Sequence, residues 1–310
     1  MLRYAADLRT LGFVATYFAL VALGWTLNLP LWATALLFTA TCSFSWFTAV
    51  ITHNTVHCPV FRSKRLNKVF QVVLTLCYGH PVSTFVPGHN LSHHKYTELP
   101  KDAMRTTKMR FSWNVLNLIV FFPTVARSIL KGEREFVSGM RKRKPQWFRQ
   151  LVIEGGALAI ITVGLFILDW RKALVWWYLP HIWAAFGIVT INLLQHDGCD
   201  PDHEFNHSRN FTGKFFGWWT FNNGFHAIHH IRPNMHWSLY RAEHDEKVAP
   251  NNHDNLDQRS IGLYLWRAYV WPGKRMRFDG TPVVLPPIVE DESWVPRPGD
   301  TVDYSLGAEA

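Results

Sequence analysis

Two apolar runs near the start of the chain, residues 11–25 and 31–51, contain no charged side chain, and the second follows the first after little more than Leu27-Asn28-Leu29-Pro30. Each approaches the roughly 20 residues that a helix needs to cross a bilayer. Inside lipid the backbone has no water to bond to, so an open segment of this kind must be helical. Together the runs predict a transmembrane hairpin. A second hairpin is predicted from residues 151–168, a polar turn at Asp169-Trp170-Arg171-Lys172, and residues 173–195. The mean hydropathy of −0.04 conceals these spans because the rest of the chain is polar. A cleavable leader is the competing reading of the first run, but no small-x-small cleavage site is evident and the next run follows at once.

Charge orients the spans. Residues 52–150 carry 17 Lys or Arg against 4 Asp or Glu, in a chain of net charge +9. The positive-inside rule therefore places this loop in the cytoplasm, and an even number of spans puts both termini on one side. Within the loop, residues 69–86 are apolar but interrupted by Gln71, Gly79, His80 and Pro81, and residues 111–129 are broken by Pro123 and Arg127. Both read as helices lying in or dipping into the interface. Arg141-Lys142-Arg143-Lys144 reads as an anchor on anionic lipid. Nucleic acid is a poor partner for charge concentrated beside membrane spans. The fold expected is thus an all-α integral membrane protein with four transmembrane helices in two hairpins, interfacial helices and a cytoplasmic histidine-rich cap. Residues 1–195 would form the transmembrane domain with its loop 52–150. Residues 196–310 would form the cap, ending in an extended tail past Pro286 rich in Pro, Asp and Glu. Cys42, Cys58, Cys77 and Cys199 form no Cys-x-x-Cys pair, so a reduced compartment is the default.

Nine of the 16 histidines form three clusters and one outlier: His53 and His57; His89, His93 and His94; His226, His229 and His230; and His196, one helical turn after Asn192. Residues three or four apart share one helix face, so each cluster is expected to present its imidazoles to a common point. Eight or nine imidazoles exceed what one ion takes and imply two. In the predicted topology His53 follows the second span and His196 ends the fourth, so all groups can meet beneath the membrane. His80, His181, His203, His207, His236, His244 and His253 lack the repeated spacing and are expected to be structural, with His203 and His207 retaining some claim to support the metal. Zinc hydrolases use three protein ligands and a water, and soluble di-iron bundles use Glu-x-x-His pairs, of which only Glu204-Phe-Asn-His207 is present. Copper electron-transfer sites need sulfur ligands that are missing here. Copper stays possible on ligand type; two irons held almost wholly by imidazole beside a membrane would suggest O2 activation on a lipid chain.

The boxes His-x-x-x-His, His-x-x-x-His-His and His-x-x-His-His, in this order and separated by apolar hairpins, resemble the membrane fatty acid desaturase superfamily from the first span through His230. Asn192-x-x-x-His196, Gln195-His-Asp-Gly198 and Asn222-Asn223-Gly224 add to the likeness. The resemblance implies two irons held by His53, His57, His89, His93, His94, His196, His226, His229 and His230, with Asn192 acting through a water. It implies O2-dependent oxidation of an unactivated methylene, most simply desaturation; hydroxylation and decarboxylation to a terminal alkene are the alternatives, and a non-redox membrane metalloprotein is the distant one. An acyl chain about 20 Å long needs a narrow apolar tunnel, for which Trp46, Phe47, Trp176, Trp177, Trp183 and Phe186 are candidates. Lys95, Arg105 and Lys108 are candidates for a headgroup at its mouth. The chain has no dinucleotide fingerprint, no cysteine set for an iron–sulfur cluster and no His-Pro-Gly-Gly motif. Electrons are therefore expected from a separate ferredoxin, rubredoxin or b-type cytochrome docking on the basic face. The expected location is a membrane with the site on its cytoplasmic side, a bacterial inner membrane before the endoplasmic reticulum.

Overall fold

The computed structural model describes residues 1–296, so the end of the expected tail lies outside the described residues. In chain order the helices that matter here are α1 (Asp7–Thr26), α2 (Leu31–His57), α3 (Lys64–Tyr78), α4 (Val82–Val86), α5 (Asn114–Arg143), α6 (Pro145–Ala173), α7 (Leu179–His196), α8 (Lys214–Trp219) and α9 (His226–Ile231). Among the described residues the chain divides into two compact units, one of residues 1–86 and 137–188, the other of 87–136 and 189–296.

In the first unit α1 and α2 pack through aromatic rings, with Phe13 5.2 Å from Phe44 and 5.8 Å from Phe47. Several hydroxyls that interrupt α2 return to its own carbonyls, with Thr41 donating to Leu37 O at 2.8 Å and Thr52 to Thr48 O at 2.9 Å, while Ser45 Oγ donates to Cys77 O at 2.8 Å. Those bonds let polar side chains sit in an apolar helix without orphaned groups. Helices α3 and α4 meet at an 87° bend. The bend falls at the expected interruption, because Gly79 ends α3 in the left-handed region and Pro81 cannot continue it. The buried Glu154 of α6 accepts from Ser83 N at 2.8 Å, Ser83 Oγ at 3.0 Å and Gln150 Nε2 at 2.9 Å, and so fixes the start of α4. The chain reverses at Asp169, whose φ of −160° and ψ of 98° leave the helix. Residues 15 apart on one helix would stand about 22 Å from each other, yet Trp177 Nε1 donates to Thr162 Oγ1 at 2.9 Å. Asp169 Oδ1 then caps the restart by accepting from Arg171 N and Lys172 N.

The second unit is built on a core of Met109, Phe121, Val125, Leu193, Leu194, Phe211 and Tyr269. A two-residue parallel pairing joins β1 (Asn210–Phe211) to β2 (Asp257–Gln258). The C-terminal turn of α7 is closed by the buried Arg209, which donates to Leu194 O at 2.9 Å and Asp197 O at 3.0 Å while its guanidinium lies 4.5 Å from the Tyr264 ring. A cation on the last carbonyls suits the negative end of a helix.

The chain is mostly helical, and four helical tracts are long and apolar enough to cross a membrane: Asp7–Thr26, Leu31–His57, Asn114–Arg143 and Pro145–His196. The runs 151–168 and 173–195 lie in one helical tract broken at Asp169, within the expected turn 169–172. One feature differs from the sequence expectation. Residues 111–129, expected as a broken interfacial helix, start instead at Asn114 and continue through Pro123 to Arg143. Proline removes a single backbone bond, and flanking turns on both sides carry the helix past it.

Candidate metal centre

Each histidine box lies on a helix, and in the second unit the helices split their histidines between two sets. The second box occupies a π-helical turn, Pro87–His94, directly after α4. In such a turn residues five apart come into register, which brings His89 and His94 together with Nε2 atoms 3.1 Å apart. His229 Nε2 stands 2.9 Å from His94 Nε2 and completes a trio. The neighbouring His93 points elsewhere and joins His196, His226 and His230 in a quartet whose donor atoms all lie within 4.8 Å of one another. Within it His196 Nε2 and His226 Nε2 are 2.9 Å apart, and His230 Nε2 and His226 Nε2 are 3.1 Å apart. The expectation that every box serves one point is thereby corrected for the second and third boxes: consecutive helical residues diverge by about 100°, so His93 and His94, like His229 and His230, cannot aim at the same place. In the first unit His53 and His57 share one face of the last turns of α2, with ring centroids 5.4 Å apart.

The outer ring nitrogens are held from behind. His93 Nδ1 donates to the buried Asp102 carboxylate at 3.0 Å, and His196 Nδ1 donates to His207 O at 3.1 Å. His229 Nδ1 pairs with Tyr240 Oη at 3.0 Å. The carboxylate and the carbonyl can only accept, so the first two bonds leave Nε2 of His93 and His196 as a lone pair facing inward. His93 Nε2 is buried with no hydrogen-bond partner among the described residues. Burial and the facing imidazoles push His230 well below its ordinary range, which disfavours a proton on that ring. Two nitrogens about 2.1 Å from an ion and about 90° apart are separated by about 3.0 Å, the spacing found here. The residues present therefore fit a metal bound by neutral imidazole, in two sets.

Asp102 is itself fixed by Glu98 N at 3.0 Å and Met104 N at 2.8 Å. Glu98 is half-buried and accepts from Thr106 N at 2.8 Å and Thr106 Oγ1 at 2.9 Å; desolvation, then the nearby Asp102 charge, push its carboxyl up to about 8. Asn192 precedes His196 by one turn, and its Nδ2 donates to Met104 O at 3.0 Å. Around His196 the motif residues have separate tasks. Gln195 Nε2 donates to Asn223 O at 3.1 Å, Asp197 pairs with Arg275, and Gly198 takes a φ of +72°. Gly224, just before the third box, has its own constraint: a Cβ there would stand 2.3 Å from Phe211 O.

The other seven histidines have structural partners. His80 bonds Thr84, His181 bonds Tyr17, His244 bonds Asp257, and His203, His236 and His253 accept backbone N–H groups in local turns. His207 supplies its carbonyl to His196, and its ring lies 5.4 Å from that of His230. Among the tunnel candidates, Trp176 and Trp177 are buried, Trp46 lies against Gly187, and Trp183 is 49% exposed beside Phe186. Asp102, Tyr240 and Arg209 were absent from the sequence reading. The usable signal was the need of each ligating imidazole for an outer partner, which names a residue type without a position.

The family model described as fatty acid desaturase matches residues 27–259. No curated protein and no solved structure matches the chain.

Proposed function

The chain belongs to the fatty acid desaturase family, and on that premise we propose that it is an integral-membrane di-iron enzyme that uses O2 and an external electron donor to introduce a double bond into a fatty acyl chain. The observation that carries this reading is the division of seven imidazoles of the second unit into a quartet and a trio, each converging on its own point. The quartet of His93, His196, His226 and His230 would hold one iron. His89, His94 and His229 would hold the other, and the family resemblance adds His53 and His57 to the set of ligands. Iron in these sites supplies the redox chemistry of O2 reduction. The protein's part is to orient the imidazoles. Asp102, the His207 carbonyl and Tyr240 do so from behind for His93, His196 and His229, and Asn192 is proposed to place a water between itself and the metal.

The apolar tracts support an enzyme embedded in the bilayer as two transmembrane hairpins, α1 with α2 and the tract that reverses at Asp169. The excess of Lys and Arg in residues 52–150 supports a cytoplasmic histidine-rich side. That same basic face suits an acidic carrier such as a ferredoxin. Trp46, Trp177, Trp183 and Phe186 are proposed to border the acyl path.

The test is to express the chain with a ferredoxin system and examine total fatty acids and hydrocarbons by mass spectrometry. Desaturation removes two mass units from an acyl chain. A gain of sixteen would name a hydroxylase, and a new terminal alkene a decarboxylase; either would replace the reading. One zinc per chain in place of near two iron would end it.

A further inference from the structure

The second unit contains a cavity of about 260 Å³ whose lining includes Arg105, Lys108, Arg110, Thr124, Ser128 and Asp291 and no histidine. Three cations there face one carboxylate. Arg105 and Lys108 are not surface side chains: they are 5% and 9% exposed. Both donate to Asp291, Lys108 Nζ at 2.9 Å, and Ser128 Oγ donates to the same carboxylate. A guanidinium, an ammonium and a hydroxyl converging on two oxygens is the donor pattern that recognises a carboxylate or phosphate.

Asp291 arrives on an extended strap. Arg110 Nη2 holds Pro286 O at 2.7 Å and Arg105 Nη2 holds Val289 O at 2.8 Å. Beyond Asp291 the buried Trp294 lies against Gly132 and 6.0 Å from Phe136. Asp291 itself is 37% exposed, so it can leave its partners without opening the core. With Asp291 in place the lining still carries an excess of positive charge. The cavity also has room for several groups the size of a water, each about 30 Å³.

We propose that this cradle is an oxyanion site for the head of the acyl substrate, and that Asp291 is an internal occupant which an external carboxylate or phosphate displaces. The identity of the natural ligand rests on the acyl-chain reading above; the cradle and its occupant do not. Release of the strap then exposes two buried cations that need a counter-charge, and the incoming head supplies it.

Asp291→Asn keeps the shape of the occupant and removes its charge. Calorimetric titration of the full-length protein with butyrate, and separately with sn-glycerol 3-phosphate, reads the site without any turnover. Asp291→Asn should bind one probe at least tenfold more tightly than the parent, and Arg105→Gln added to it should return binding to background. The tighter probe names the source: butyrate for a free fatty acid, glycerol phosphate for a phosphorylated lipid head. Trp294→Ala loosens the strap without touching the cradle and should raise affinity in the same direction, which keeps the test decisive if Asp291→Asn does not fold. Equal affinities in the parent and both variants, or binding in Asp291→Asn that survives Arg105→Gln, would overturn the proposal and leave Asp291 as a structural clasp. Because no product is measured, this outcome is independent of whether the chain desaturates.

Discussion

A ligating imidazole is only as well placed as the group behind it. His93 has a buried carboxylate on Nδ1, at 3.0 Å from Asp102. Asp102→Ala should therefore weaken metal binding by about 10- to 100-fold, read by iron titration, whereas Asp102→Asn, which keeps an acceptor, should lose less. His253→Ala is the control: His253 Nδ1 accepts from Asn255 N in a local turn, so the change should cost about 1 kcal/mol of stability with iron content and product yield unchanged. Glu98 gives a pH signature. Its folded value is raised from 4.5 to about 8 by burial and by Asp102, so the folded chain binds more protons than the unfolded one. Stability then falls as pH rises between those values and levels off above them, by on the order of a few kcal/mol. Glu98→Gln should flatten that part of the thermal-unfolding profile; a profile as steep as the parent's would show that Glu98 is not the titrating group.

At the scale of elements, the backbone geometry of short segments decides which ion a histidine serves. The π-turn Pro87–His94 pairs His89 with His94, five residues apart, and α9 pairs His226 with His230, four apart. Gly224 sets the entry of α9 because Phe211 O passes where a Cβ would sit. Gly224→Ala should shift the third box, lower stability by about 1–3 kcal/mol and release iron, all measurable on one purified sample; full iron with the parent melting temperature would contradict it. On α7 the pair Asn192 and His196 separates two roles. His196→Ala should lose iron and activity together. Asn192→Ala keeps every imidazole, so it should retain most iron but slow turnover, with some structural loss from its bond to Met104 O. Negligible effects from both changes would reduce α7 to packing.

For the whole molecule the question is which tracts cross the bilayer. Four have the length and hydropathy, and the charge bias of residues 52–150 favours their cytoplasmic exposure. Single cysteines at Lys144 and Asp254 should react with an impermeant thiol reagent from the cytoplasmic side, and those at Asn28 and Trp170 from the other. A cysteine at Lys101 should label with Lys144. If the two label from opposite faces, α5 crosses the membrane and the two-hairpin topology fails.

Much of this was legible before any coordinates. Uncharged runs such as 31–51 demand helix because lipid leaves the backbone no other partner, and the spacing of His53, His57, His226 and His230 reports shared faces because one helical turn is a local property. The break between α3 and α4 was visible in Gly79, His80 and Pro81 for the same reason. The partition of the boxes was not. Whether His93 joins His94 or His196 depends on a π-turn and on contacts between distant segments, such as His94 with His229, 135 residues away. Asp102 behind His93, Arg209 on the end of α7 and Asp291 on Arg105 and Lys108 carry no spacing that marks them. Local periodicity determined the helices and the candidate ligands; the pairing of side chains far apart in sequence was decided only by the tertiary fold, because burial leaves each charge and each ring nitrogen to find its partner within the protein.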